Sequence, residues 1–545
     1  MVTQRFKPAG AGFEVPPYPW KTKTQKMEKI MNTKDDLNEE VFDPFAGTEV
    51  TVGTANIKNK VSQFDAAYSD MASEFALLRD LKEFRDKYAI INRSGKTYIC
   101  WEDSFMQTLE FQNILDFHHF HAHLYHFIPQ DKAKSGKARE DKKVLVTQAF
   151  LEDKRSTRYE GIVFDPSETC GKQYWNLWRG FKVQPKQGDI SLFMDLLAAL
   201  CNDDQTCITY LLNYLAHMVQ KPAELPEVAI VMRGTQGIGK GSLMKTIGEF
   251  TDNYRHLSST NSLTGEFNGH LLNAFVIFAD EAVWGGDKSA EGRLKAMITE
   301  GLNMINDKGR PAIQVRNYSR IFVASNEEWA VPVGEEDRRF FVIDGSPRYK
   351  GKTKPGEFFH QYNEWVQNGG REAIFHALKN RDISSFSPRD FPNTKARMAL
   401  MIRSLPLPER FIYEVLNGSA LVENKTIVKA PDSTQSRCYR NAFYADCLEW
   451  CKSLGFRFMP SADEMGKAMS KVFAFDQDNP NWRSNWKSKT QGYFYQLPSR
   501  SECMKRFAQN ICNAEPTMVF FDYEDDSTLK SNDDKSNIVN FQKQA

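Results

Sequence analysis

The sequence predicts an α/β fold class, with a core of parallel strands and helices, and three runs of residues predict it. Val228-Ala229-Ile230-Val231-Met232 is an apolar strand that leads straight into RGTQGIGKGS and then into the helix-forming LMKTIGEF. Leu271 to Ala279 is a second apolar run, closing on Asp280-Glu281; Ile321-Phe322-Val323-Ala324-Ser325 is a third, closing on Asn326. Such runs mark strands buried on both faces, the habit of a parallel sheet.

Around this core the chain divides by composition. Its 545 residues predict about three or four compact units. Residues 1–60, with Pro16, Pro17 and Pro19 and no sustained period, read as a flexible arm. Residues 61–150 read as a small α+β domain: Phe64, Tyr68, Met71, Phe75, Leu78 and Leu81 recur at helical spacing, and KYAIINRSGKTYICW reads as a hairpin. Lys132 to Lys143 is a basic, exposed loop. Residues 151–226 form a mainly helical domain ended by Lys221-Pro222, and 227–350 the α/β core. A helical continuation and linker follows over 351–434, then a small mixed unit over 435–505 and a mostly disordered tail over 506–545.

Composition excludes several classes. Lys plus Arg total 71 against 70 Asp plus Glu, a net charge of +1, so any nucleic-acid site must be a local patch. No apolar stretch approaches a membrane span, and MVTQRFKPAGAGFEVPPYPW lacks the apolar core of a secretory signal. Nine cysteines without a CxxC pair support neither a disulfide framework nor a zinc ribbon, and a reducing cytoplasmic setting is expected.

The chemistry sits in the core. Gly234, Gly237 and Gly239 let the backbone wrap phosphates at a helix N-terminus, and Lys240 is placed to neutralise them. Gly241 stands where a Mg²⁺-binding Ser or Thr is usual, with the hydroxyl one place later at Ser242. Asp280 is suited to hold Mg²⁺ and Glu281 to polarise an attacking water, the division of labour that NTP hydrolysis requires, and Asn326 is suited to hydrogen-bond the γ phosphate or the water. Arg338 and Arg339, ahead of a further apolar strand, are suited to stabilise transition-state charge across a subunit boundary; a surface salt bridge is the plain alternative.

Lys240 to Asp280 spans 40 positions and Glu281 to Asn326 spans 45, a compact series. It resembles superfamily 3 helicases, the AAA+ ring motors of viruses, phages and plasmids. RGTQGIGKGSLMKTIG, FADE, VASNEEWAVPVGEEDRRFFVID, RYEGIVFDP, YWNLWRGF and LAHMVQKPAELPEVAIVMRG look like the helicase part of phage and plasmid primase–helicases related to the poxvirus type. The resemblance covers roughly residues 155–345. It is weaker over 435–500, where YRNAFYADCLEWCKSLGFRF, DEMGKAMSKVF and GYFYQLP are similar to the winged-helix domain these proteins carry. It implies an AAA+ P-loop NTPase that hydrolyses ATP with Mg²⁺, assembles as a homo-oligomeric ring, in all expectation a hexamer, and moves on single-stranded DNA in replication. A separate primase or polymerase is an expected partner, because residues 1–150 lack the paired acids and following His of a priming site.

Met304 to Val315 reads as a hairpin with cations at its tip, Lys308 first and Arg310 second, suited to grip DNA backbone; a solvated surface turn is the alternative. His118, His119, His121, His123 and His126 sit among aromatics, so packing is preferred over metal binding. Trp482, Arg483, Trp486, Lys487 and Lys489 read equally as a DNA-touching wing or as core and rim packing. Two rival functions remain: a small-molecule kinase, which shares GxxGxGKG, and an initiator that uses ATP only to assemble.

Overall fold

The computed structural model describes residues 72–93, 95–103, 108–128, 141–281, 288–306, 308–309, 312–326, 331, 333–334, 337–420, 427–429, 436–473, 486–488, 492–497, 499–520 and 522–524. The expected arm over 1–60 and residues 132–140 of the basic loop expected over 132–143 lie outside them, while Lys142 and Lys143 belong to the strand Lys142–Leu145 and not to a loop. Among the described residues no helix is long and apolar enough to cross a membrane.

The chain divides into two units. The first, Met1–Glu83 with Ala122–Ala149, holds an antiparallel pair, Tyr125–Ile128 with Lys142–Leu145. Within it His126 Nε2 lies 2.9 Å from Asp80 Oδ2.

The second unit, Phe84–His121 with Phe150–Ala545, holds the rest. Its first sheet runs in the order Thr108–Asn113, Lys96–Asp103, Ala89–Arg93, Arg158–Tyr159. The hairpin expected around Gly95 is present, with Ala89 opposite Cys100 and Arg93 opposite Lys96. The fourth strand comes from beyond the boundary expected at 150, because Ile90 and Ile91 pair in parallel with Arg158 and Tyr159. Phe84, Tyr88, Phe117 and Phe150 form an aromatic cluster, with Phe84 edge to face on Phe117 and Phe150 and Tyr88 edge to face on the same two rings. The buried His121 joins that cluster, its ring nitrogens 3.2 Å from Tyr88 Oη and 3.1 Å from Phe117 O.

The core is a five-stranded parallel sheet, ordered Tyr254–Leu257, Val276–Asp280, Arg320–Ser325, Ala229–Arg233, Phe340–Asp344. Four of its strands are buried almost throughout, Arg320–Ser325 entirely, whereas the edge strand Tyr254–Leu257 buries only Leu257. The expected helical run before it is two helices, Ser191–Leu200 and Gln205–Gln220. They break at Asp204, whose carboxylate accepts from Thr206 N and Cys207 N and so starts the second helix. Tyr214 on that helix donates its hydroxyl to Val228 O at 2.8 Å, tying the helix to the head of the first core strand. Helices and sheet share one continuous apolar core.

One buried cation fixes this arrangement. Arg320 opens the strand that ends at Asn326 and is fully buried. Its guanidinium donates to Pro222 O at 2.9 Å, Lys221 O at 2.8 Å, Glu224 O at 2.7 Å and also to Tyr318 O, and it lies over the Phe275 ring at 4.5 Å. Lys221 caps the Gln205–Gln220 helix and Pro222 and Glu224 follow it, so three of these carbonyls hold the arginine at the helix C-terminus, where a cation complements the dipole. Burial pulls the guanidinium down to about 10, still high enough to keep it charged at neutral pH.

After the core come helices Phe358–Trp365, Arg371–Lys379, Lys395–Ser404 and Leu407–Leu416. A four-stranded antiparallel sheet follows, in the order Ile427–Lys429, Ser436–Tyr439, Gly492–Leu497, Trp486–Ser488, with helices Arg440–Ser453 and Ala462–Phe473. Cys447 and Cys451 are buried and unbridged on the first of these helices.

The tail expected from residue 506 begins too early. Arg500–Cys512 is a helix started by Ser499, whose side chain accepts from Glu502 N, and it buries Cys503, Met504, Phe507, Ala508, Ile511 and Cys512. Phe520, beyond it, stacks on Tyr413 at 5.4 Å. The S-x-x-E start and the apolar positions at helical spacing account for this order. Residues 525–545 lie outside the described residues.

Arg320→Met should lower the free energy of unfolding by about 3 kcal/mol, since it leaves buried carbonyls without a donor. Urea denaturation measures it, and a change below about 0.5 kcal/mol would deny the arginine this role.

Candidate functional site

The site forms at the carboxyl ends of three neighbouring strands. The chain leaves Ala229–Arg233 toward one edge of the sheet and leaves the adjacent Arg320–Ser325 toward the other. That makes a topological switch point, the crevice where open α/β sheets take their ligands.

The glycine loop fills this crevice. Gly234, Gly237 and Gly239 have φ of +133°, +83° and +109°, conformations that only glycine adopts cheaply. A Cβ at Gly239 would stand 2.5 Å from Leu196 Cδ1 and 3.0 Å from Phe359 Cε1, so the loop is pressed onto the preceding and following helices. Gly239 also caps the Lys240–Gly248 helix, whose N-terminal N–H groups open into the loop. Gly241 is different, because a Cβ there meets nothing within 4 Å. The missing hydroxyl at this position is therefore no steric exclusion, and the half-buried Ser242 follows it.

Lys240 is buried to 8% exposure, and its ammonium group binds Asn326 Oδ1 at 2.8 Å together with Gly234 O. Asn326 in turn donates from Nδ2 to Glu281 Oε1 at 3.1 Å. The register explains this chain of contacts: Asp280 pairs with Ala324, and Glu281 N donates to Ala324 O at 3.0 Å, so the two strands end side by side. Glu281 sits at φ +56°, a left-handed conformation uncommon for a residue with a side chain. Burial pulls the Lys240 ammonium below its usual range, and the charges of Asp280 and Glu281 offset that pull.

The expected residues fall into two groups. Lys240, Asp280, Glu281 and Asn326 meet at this edge, with the glycine loop. Arg338 and Arg339 lie at the opposite edge, ahead of Phe340, with Arg339 O accepting from Ala229 N at 2.7 Å. The length of the Ala229–Arg233 strand, about 16 Å at roughly 3.3 Å per residue, separates them from Lys240. Arg338 is exposed, whereas Arg339 Nη1 lies 3.4 Å from the buried Asp337, which also pairs with Lys295 at 3.2 Å. The hairpin at Met304 is Leu302–Ile305 against Ile313–Arg316, and Lys308 is exposed at its turn; Arg310 lies outside the described residues. Asn268 holds its first strand where it enters the turn, donating to Met304 O at 2.9 Å and accepting from Asn306 N at 2.8 Å.

Two neighbours of the site escaped sequence reading. His256 Nε2 stands 3.3 Å from Asp280 Oδ2, and the ring stacks on Phe278 at 5.0 Å. Gly345 donates to Arg233 O at 2.9 Å and leaves room for Ile238 of the loop. Neither carries a local signal, because each is a neighbour only through strand pairing.

The donors fit a polyphosphate with a divalent cation: backbone N–H groups and an ammonium on one side, a carboxylate pair on the other. Gly239→Ala should destabilise the protein by more than about 2 kcal/mol, because its Cβ meets Leu196 and Phe359 under a positive φ. Gly241→Ala should change stability by no more than about 1 kcal/mol, in either direction. Thermal unfolding of both variants checks the contrast, and equal losses would contradict the packing described.

Residues 232–339 match a protein family described only as a family of unknown function, DUF5906. Over 193 residues the chain is 29% identical to a protein of Nitratiruptor phage NrS-1 named DNA Primase-polymerase. That match takes in 34% of this chain and 27% of the phage protein, so the chain spans well under half the length of this relative. The apo structure of the NrS-1 C-terminal region, residues 305–718 in its own numbering, is similar at 16% identity with a TM-score of 0.47, over 78% of this chain and 88% of that one. A second apo structure of that region, the A form, aligns at 16% identity and a TM-score of 0.47, over 79% and 88%.

Proposed function

We propose that the chain is the ATP-hydrolysing motor of an AAA+ ring helicase of the superfamily 3 type, moving on single-stranded DNA in the replication of a phage, virus or mobile element inside its host cell. The observation that carries the reading is the convergence of Lys240, Glu281 and Asn326, with Asp280 beside them, at the switch point of a parallel sheet. The similarity to a phage protein named a primase-polymerase supports the replication setting. A separate primase or polymerase remains the expected partner. The small C-terminal unit, two helices and a β-hairpin with Lys487, supports a winged-helix role.

In this reading the loop N–H groups and Lys240 bind the phosphates of ATP. Asp280 and Ser242 would hold Mg²⁺, which supplies charge neutralisation on those phosphates. Glu281 polarises the attacking water, and its left-handed backbone turns the carboxylate toward Asn326. Asn326 shares its amide between Glu281 and Lys240, so contact with the terminal phosphate at Asn326 is felt by the base. Arg338 and Arg339 are too far from their own chain's Lys240 to serve it, which is what a ring requires of arginines that act on the neighbouring subunit. The exposed Arg338 is the better suited of the two, because Arg339 already faces Asp337. Lys308 at the hairpin turn grips the DNA backbone, with Arg310 beside it in sequence.

Lys240→Ala should cut ATP turnover about 100-fold or more, the weight of a phosphate-binding donor. Glu281→Gln should lose turnover to a similar degree yet still bind ATP. Turnover assays paired with nucleotide-binding titration test both; undiminished turnover in a folded Lys240→Ala protein would reject the site, and loss of binding in Glu281→Gln would reject the role of the carboxylate.

Assembly is tested by mixing. Arg338→Ala alone should lose activity, by about 1,000-fold if it supplies the full effect of such an arginine. Mixed with Lys240→Ala chains it should recover, because the intact pocket of one then meets the intact arginine of the other. A protein that stays fully active as a monomer at every dilution would end the ring reading.

A further inference from the structure

The turn that carries Lys308 does not face open solvent on every side. Its neighbour Gly309 forms part of the wall of a cavity of about 410 Å³, and the rest of that wall comes from the Lys96–Asp103 and Thr108–Asn113 strands of the first sheet and from Asp116 of the helix Ile114–Phe120 that follows them. Tyr98 lies opposite Asn113 and Cys100 opposite Phe111, so Lys96, Tyr98, Phe111 and Asn113 share one face. Inward on that face Cys100 is buried beside Ala89 and Ile91, and Tyr98 and Phe111 pack on this small cluster while staying half-exposed. The Arg93 guanidinium lies over the Phe111 ring at 5.3 Å. Lys96 is exposed at the rim.

The chemistry of this wall selects its occupant. Two aromatic rings offer stacking area, and one is backed by a cation. The polar groups beside them are spent locally: Asn113 Oδ1 accepts from Asp116 N at 2.8 Å, and its Nδ2 donates to Asp116 Oδ2 at 2.5 Å. The Asp116 carboxylate makes the cavity a poor seat for a phosphate, while Lys96 brings positive charge to its wall and the exposed Lys308 is next in the chain to Gly309. A flat, uncharged ring with its phosphates held outside meets these conditions, and the volume is that of a small-molecule site.

We propose that this cavity receives one base of the single strand whose backbone Lys308 holds. The inference rests on the DNA-motor reading above and extends it to the sheet of residues 89–113, which then forms the second wall of the DNA path. Tyr98 and Phe111 stack the base, Lys96 and Lys308 take the flanking phosphates, and the grip is tolerant of sequence because every base has a π face. Movement of the hairpin would then shift a base and its backbone together.

The test uses the full chain, a single-stranded thymidine oligonucleotide, and an abasic oligonucleotide of equal length, with affinity read by fluorescence anisotropy. The wild-type protein should bind the abasic strand about tenfold or more weakly. Tyr98→Ala should lose a similar factor on the thymidine strand and nothing further on the abasic one, while Tyr98→Phe keeps the wild-type contrast. Lys308→Ala should lower the log–log salt slope on both strands by about 0.7 per contact. Equal binding of the two strands by the wild-type protein overturns the proposal, a result that does not depend on any variant folding. Tyr98→Ala binding thymidine as tightly as wild type overturns it also, and points to a protein segment as the occupant of the cavity. If the wild-type protein binds neither strand, the DNA-motor reading falls and the base site with it; if it binds both alike, only the base site falls.

Discussion

The parallel pairing of Val276–Asp280 with Arg320–Ser325 is the constraint on which the rest depends. At one end of this pair Arg320 donates its backbone N–H to Phe275 O at 2.7 Å, and its side chain closes the helix that ends at Gln220. At the other end the same register sets Glu281 beside Asn326. A slip of one residue would turn every side chain of these strands to the other face and part the acid from the amide. Burial of both faces makes such a slip costly, so the core that stabilises the sheet also holds the site.

The site shows the opposite balance. Lys240 is mostly withdrawn from water, Glu281 holds a left-handed backbone, and the loop depends on glycines at positive φ. Each feature costs stability and persists because the surrounding packing over-determines it. Gly239 is the clearest case, wedged between Leu196 of the preceding helix and Phe359 of the following one. The helices before and after the core are therefore part of the loop's geometry, and the boundary read near residue 226 marks a change of composition within one continuous apolar core.

Where sequence reading and structure part, the reasons are specific. The Arg500–Cys512 helix was legible in its capping signal and its apolar spacing, yet the polar stretch that follows masked it. The pairing of Ile90 and Ile91 with Arg158 and Tyr159 joins segments that no local pattern relates, so a boundary at 150 looked natural. His256 beside Asp280 was unreadable for the same reason, because strand order is not written in any one strand.

By itself the sequence determined the core elements and the side chains at their ends: apolar runs too long for half-exposed strands, a glycine loop joining strand to helix, an acid pair and an asparagine at strand ends. These depend on neighbours in the chain, and local sterics and burial suffice to read them. Only the tertiary structure decided which ends meet. It brought Lys240, Glu281 and Asn326 into one line of hydrogen bonds, sent Arg338 and Arg339 to the far edge, and made Gly309 of the hairpin turn line one cavity with Tyr98 and Phe111. The physical reason is that strand order and register are chosen by the burial of the whole sheet against its helices, a sum over the core that no single segment contains.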